Sequence, residues 1–234
     1  MSYQSEAVLE NNLVKQLQGL DYSGVTLNTE AAVLSNLKSQ LEVFNGTVFS
    51  EKEFGSILNH LAKGNVFEKA KSLRGRFQLT LDNEESFYVR FFNSEERDKN
   101  LFQVTNQITQ EGTYKNRYDV TLLVNGLPLV QIELKRRGLE LKEAFKQINR
   151  YKRHSYWNNY GLFNFVQLFV ISNGVDTKYF SNNPLPTLTF KQTFFWADTH
   201  NRNIKELSAF TNAFLDSAHS GKNAGKIHSS QRNP

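Results

Sequence analysis

Apolar positions recur at helical spacing at the start of the chain. In "SEAVLENNLVKQLQ", Val8, Leu9, Leu13 and Leu17 fall on one face, and Ser5 precedes them as an N-cap. A second amphipathic pattern covers residues 30–44. A third begins at "SEKE", where Ser50 and Glu53 have capping-box spacing, and ends near Gly64. After Gly75 the period shortens to two: "RFQLTL", "SFYVRFF" and "LFQVTNQIT" read as strands joined by the polar "DNEE" and "NSEERDKN".

The segment 117–138, "RYDVTLLVNGLPLVQIELKRRG", reads as strand, turn and strand. A helix from about Glu140 to Arg153 follows it. Next come "FNFVQLFVISNG" and "VDTKYF", strands separated by an Asn-Gly turn signal. Residues 181–188 carry two prolines and read as loop. A last helix is expected over Arg202–Leu215, and residues 217–234, without apolar period, as a disordered tail. The pattern predicts an α/β fold with a central mixed β-sheet flanked by helices. Residues 1–75 form its helical part and 76–216 its sheet-rich part.

Composition narrows the function classes. A chain of 234 residues with 39% hydrophobic and 13% aromatic content supports one packed domain. With no cysteine, disulfide scaffolds and thiolate zinc sites are excluded. His60, His154, His200, His219 and His228 show no i, i+4 pairing of the kind metal sites use on helices. The start has no basic and apolar leader, and no apolar run reaches membrane-spanning length, so a soluble cytoplasmic protein is expected. The net charge of +5 alone does not identify a partner.

The segment 117–138 carries the chemistry. Glu133 and Lys135 are two apart, so in a strand both point to one face. Whether Asp119 joins them depends on the turn at "VNGLP". A two-residue loop, Asn125-Gly126, pairs Val124 with Leu127 and leaves Asp119 among Val130, Ile132 and Leu134. A three-residue loop, Val124 to Gly126 with a bulge, puts Tyr118, Val120, Leu122, Val130, Ile132 and Leu134 on one face. Asp119, Thr121, Gln131, Glu133 and Lys135 then take the other. Only the second separates apolar from ionisable residues, so the odd loop is expected.

Two carboxylates and a lysine gathered this way suit a phosphodiesterase. The carboxylates offer hard oxygen ligands for Mg²⁺, and the lysine can steady a phosphate or the attacking water. The following helix supplies charge: residues 135–153 hold eight basic side chains against Glu140 and Glu143, which exceeds the net charge of the whole chain. Gln147 and Tyr151 share a face of that helix.

These residues resemble a known family. Asp119, Glu133-Leu-Lys135 and Gln147-x-x-x-Tyr151 are spaced as in the PD-(D/E)xK nuclease superfamily, in the branch with an added Q-x-x-x-Y motif. "RYDVTLLVNGLPLVQIELKRRG" with "EAFKQINRY" closely resembles the N-terminal nuclease domain of the restriction (R, motor) subunit of type I restriction-modification enzymes. The resemblance extends to "YQSEAVLE" and "LQLFVISNGVDTKYF".

The resemblance implies a type I site-specific deoxyribonuclease module acting on double-stranded DNA with methylation and specificity subunits as partners. Asp119 and Glu133 would hold Mg²⁺, and Lys135 would be the catalytic lysine. Gln147 and Tyr151 would form the auxiliary motif. A further acidic residue on the first helix is expected near the metal, with Glu10 the better match and Glu6 the alternative. Arg136, Arg137, Lys146 and Arg150 are the candidate DNA contacts. The phosphate-binding loop of an ATP-driven motor is not found, since "GKNAGKI" lacks its spacing and its Ser/Thr, so ATP would be needed only by a motor domain outside this chain. Two other readings stay open: a stand-alone resolvase or repair nuclease, and a DNA-docking module that does not cut in isolation. Lys178 and Tyr179 are not assigned to the site. Trp157 and Trp196 are read as core or rim aromatics.

Overall fold

The computed structural model describes residues 5–110, 116–154, 161–185 and 187–216. The expected tail and Trp157 lie outside them.

Helix α1 is Glu6–Gln18, and the Ser5 hydroxyl accepts a hydrogen bond from the Val8 N–H as its cap. A two-residue strand, β1, follows at Ser23–Gly24. Helix α2 spans Glu30–Asn45 behind a Thr29 cap, and α3 spans Glu51–Ala62 behind the Ser50/Glu53 capping box. Helix α4, Val66–Arg74, was not anticipated, although Asn65 and Glu68 form a second capping box in front of it. Strands β2, Arg76–Thr80, and β3, Ser86–Arg90, pair only with each other as a separate hairpin.

Strand β4 is Phe102–Gln110, β5 is Asn116–Val124 and β6 is Leu127–Leu134. Helix α5 is Leu141–His154. Strands β7, Leu168–Ser172, and β8, Thr177–Ser181, form the later hairpin, whose loop is the four residues 173–176. Two short strands, β9 at Trp196–Ala197 and β10 at Asn203–Ile204, pair with each other. The last helix therefore starts later than expected. Helix α6 is Leu207–Phe210, and it continues as a π-helical turn over Thr211–Leu215.

The central sheet is six-stranded and mixed, in the order β1-β4-β5-β6-β7-β8. Pairs β1·β4 and β6·β7 are parallel, and the rest are antiparallel. The parallel β6·β7 pair needs a crossover, and α5 supplies it. One face of the sheet buries Val104, Val120, Leu122, Ile132 and Leu134 against Leu9, Leu13 and Leu17 of α1 and Leu207 and Phe210 of α6. The other buries Leu123, Leu127, Phe169 and Ile171 against α2, α3 and α5. This is the three-layer α/β arrangement that the pattern predicts.

The turn between β5 and β6 differs from the expectation. Val124 pairs with Leu127, so the loop has two residues, Asn125 at φ 51° and Gly126 at φ 83°. Two positive φ values make the type I′ turn that suits a twisted hairpin. Glycine is required at 126 on a second count, because a Cβ there would lie 2.7 Å from the Leu37 Cα.

The odd step comes later, as a bulge. Leu123 pairs with Pro128, but Leu122 already pairs with Val130. The inserted residue restores the facing that the three-residue loop was meant to provide, with the pairing shifted by two. Proline has no N–H to give a ladder, so in a central strand it belongs at a bulge.

Candidate active site

Beyond the bulge, Thr121 faces Gln131 and Val120 faces Ile132. The next step brings Asp119 beside Glu133. Main-chain pairing stops there: the Leu134 N–H donates to the Asp119 carboxylate, 2.8 Å away. The carboxylate thus fills a place that a β5 carbonyl would take in an unbroken ladder.

Asp119 also marks a change of face. Val120 packs under α1, whereas Tyr118 packs on the other side against Tyr151 and Phe163, with ring centroids 4.8 and 4.4 Å away. Tyr118 was expected on the face of Val120, and the sheet places it opposite. On the neighbouring β4, Asn106 and Ile108 pair across while Gln107 between them has φ 59°. That left-handed backbone interrupts the ladder at the level of Asp119.

Glu133 is fully buried. Its Oε1 lies 3.4 Å from the Tyr151 hydroxyl, and its Oε2 has no hydrogen-bond partner among the described residues. Burial pushes the Glu133 carboxyl well above the usual range, and the neighbouring Asp119 charge pushes it further, against the pull of Lys135. Burial likewise raises Asp119, opposed by the Leu134 N–H and by Lys135. A pair of carboxylates in this setting is costly to ionise unless a cation joins it.

Lys135 follows at the end of β6, held by its own N–H on the Ser172 carbonyl at 2.8 Å. Its mostly buried side chain reaches to 3.9 Å from Glu6 on α1. Glu6 also accepts from the Arg136 N–H at 3.2 Å. Of the two α1 candidates, Glu10 is buried and takes hydrogen bonds from the Asn106 and Gln107 side-chain amides. It adds negative potential at Asp119. Among the described residues no group of three or more His, Cys, Asp or Glu is placed to hold one metal ion. The structure thus brings Asp119 and Glu133 together, with the Glu10 charge acting on Asp119 and Glu6 beside Lys135.

Gln147 and Tyr151 act as one unit on α5. The Gln147 amide donates to the Tyr151 hydroxyl, and that hydroxyl donates to the Arg117 carbonyl at 2.8 Å. Tyr151 therefore ties β5, just before Asp119, to the wall behind Glu133. Burial and the Glu133 charge hold its phenol in the neutral form, far above the ordinary range.

The candidate DNA contacts Arg136, Arg137, Lys146 and Arg150 are all exposed. Lys146 is paired with Glu143 at 2.8 Å, and Arg150 lies over the Tyr151 ring at 5.4 Å. Lys152, counted with the basic helix, is instead buried and bound to the Asn183 carbonyl and side chain.

A family model of the type I restriction enzyme R protein N terminus matches residues 3–186. The chain belongs to that family. Over 220 residues it is 43% identical to the type I restriction enzyme SauCOLORF180P endonuclease subunit of Staphylococcus aureus (strain COL), covering 92% of this chain and 23% of that protein. It is 41% identical over 222 residues to the EcoprrI endonuclease subunit of Escherichia coli, covering 92% and 71% respectively. The chain thus spans about a quarter of the length of the staphylococcal relatives. For this R-protein N-terminal domain, no described helix is long and apolar enough to cross a membrane.

Proposed function

We propose that this domain is the cleavage module of a type I restriction enzyme, hydrolysing phosphodiester bonds of double-stranded DNA with Mg²⁺. One observation carries the reading: Glu133 is fully buried beside Asp119, with an oxygen that has no partner among the described residues. An oxygen left bare in a dry site fits a cation better than it fits a structural role.

Asp119 and Glu133 would hold the ion, and waters and a phosphate oxygen would complete its shell. Bound there, Mg²⁺ supplies charge neutralisation on the phosphate and a more acidic water. Lys135 places its ammonium at the same strand end, where it can steady the phosphate and the attacking water. Tyr151 and Gln147 position Glu133, and Arg136, Arg137, Lys146 and Arg150 offer charge for the DNA backbone. Regulated cutting in the cytoplasm would draw on an ATP-driven motor and on methylation and specificity subunits, since this chain is a fraction of its staphylococcal relatives' length.

The test is incubation of the purified chain with supercoiled DNA and Mg²⁺ beside the Glu133→Ala variant. Conversion to open circles or linear DNA by the first and not by the second is expected. Equal conversion by both would refute the site. Cutting only after joining to the rest of the subunit would mark the chain alone as a docking module.

A further inference from the structure

Three lysines and two phenylalanines alternate beside a cavity that opens next to the catalytic strand end. The cavity, about 640 Å³, is lined among others by Arg137, Lys142, Asn173, Lys178, Phe190 and Phe195. Lys142 Nζ lies 5.9 Å from the Phe190 ring centroid, and Lys178 Nζ lies 5.3 Å from the same ring. Lys178 Nζ is also 4.7 Å from the Phe195 ring, and Lys205 Nζ is 5.5 Å from it. The order in space is therefore Lys142, Phe190, Lys178, Phe195, Lys205. These five come from α5, β8, the segment before β9 and the segment before α6, so only the tertiary fold aligns them.

None of the three ammoniums forms an ion pair with a carboxylate among the described residues, although Glu140 and Asp176 also line the cavity. The rings hold the lysine stems in place. They do not neutralise the charge. Glu140 and Asp176 offset the charge of Arg137, Lys142 and Lys178 on this wall only in part, and an arriving polyanion relieves the repulsion that is left.

Position identifies the polyanion. Arg137, on the cavity wall, is two residues beyond Lys135. The Asn173 side chain donates to the Leu139 carbonyl at 2.7 Å, and the Lys135 N–H donates to the Ser172 carbonyl at 2.8 Å. These bonds fix the cavity to the end of β6. A DNA strand with one phosphate at Lys135 would leave this strand end alongside the cavity that Arg137, Lys142 and Lys178 line.

We propose that Lys142, Lys178 and Lys205, spaced by Phe190 and Phe195, seat the duplex DNA backbone beside the scissile phosphate. The proposal rests on the nuclease reading above and extends it to a groove outside the motif residues.

The test is binding of a 30-base-pair duplex of random sequence, read by fluorescence anisotropy without divalent metal across a series of salt concentrations. For the Lys142→Gln/Lys178→Gln/Lys205→Gln variant, the slope of log affinity against log salt should fall by about 2 to 3, since each lost phosphate contact removes about 0.9. The matching triple arginine variant should keep the slope. An unchanged slope in the glutamine variant, or no binding by the unaltered chain, overturns the proposal. If circular dichroism shows that the triple variant does not fold, the three single variants replace it, each expected to lower the slope by about one. Cutting is scored separately: equal nicking by the unaltered chain and by Glu133→Ala would sink the nuclease reading and leave the slopes to speak for the groove.

Discussion

The carboxylate of Asp119 accepts the main-chain N–H of Leu134 at 2.8 Å, so a side chain takes the place of a backbone carbonyl where β5 and β6 part. The same carboxylate has a fold role and a proposed catalytic role, and substitution separates them. Asp119→Asn keeps an acceptor for Leu134 but loses the charge. It is expected to fold normally and not to cut. Asp119→Ala leaves a partly buried N–H without its partner, which should cost about 1–3 kcal/mol. Urea midpoints and nicking of supercoiled DNA measure both. An alanine variant as stable as the asparagine one would contradict the ladder role.

Glu133 should be a site of conflict between stability and function. Its charge is buried, one oxygen is bare, and Asp119 repels it. Glu133→Gln removes the charge at nearly constant shape, so the metal-free protein should gain on the order of 1–3 kcal/mol. Cutting should fall about a hundredfold or more, as the metal pair is broken. A thermal melt that drops for the glutamine variant would count against the site.

Tyr151 joins α5 to β5 through the Arg117 carbonyl and stands beside Glu133. Tyr151→Phe keeps the ring against Tyr118 and deletes only the hydroxyl, at an expected cost of about 0.5–1.5 kcal/mol. A positioning role predicts a cutting rate lowered about tenfold or more, with DNA affinity unchanged. Loss of affinity instead would place Tyr151 on the DNA.

Lys152 makes a prediction about alkaline pH. Burial pushes its ammonium down to about 8 from 10.5. Between those values the unfolded chain binds more protons than the folded one, so this group's contribution raises stability as pH climbs through the window. It is fully present above about 10.5 and lost as pH falls through about 8. Lys152→Met should therefore compare best with the unaltered chain at pH 7.5 and progressively worse toward pH 9.5, over a range on the order of 3 kcal/mol at most. Urea midpoints at three pH values would show it, and a constant difference would refute it. Lys69, also buried and lowered in the same sense, stays in place in this comparison.

Much of this molecule was legible along the chain, for a local reason. Helical spacing at Leu9, Leu13 and Leu17, the Ser50/Glu53 box, and the alternation through 117–134 each depend on neighbours a few residues apart. The spacing of Asp119, Glu133, Lys135, Gln147 and Tyr151 is a sequence property too, and the family match agrees with the resemblance it suggested. Asn65 and Glu68 carry the same local signal for α4.

Other features depend on what lies across space. The facing of Asp119 came from a two-residue turn plus a bulge at Pro128, because α2 crowds the turn at Gly126 and a proline cannot join a central ladder. Tyr118 changed sides because the ladder breaks at Gln107 and Tyr151 offers its ring a packed partner. Glu10 was engaged by Asn106 and Gln107, nearly a hundred residues away. Lys152, one of the eight basic residues of 135–153, is buried against Asn183, whereas Lys142, Lys178 and Lys205, far apart along the chain, line up beside Phe190 and Phe195. Periodicity tells a residue which way to face within its own element. Its partners are set by how separate elements pack, and a linear pattern does not encode that.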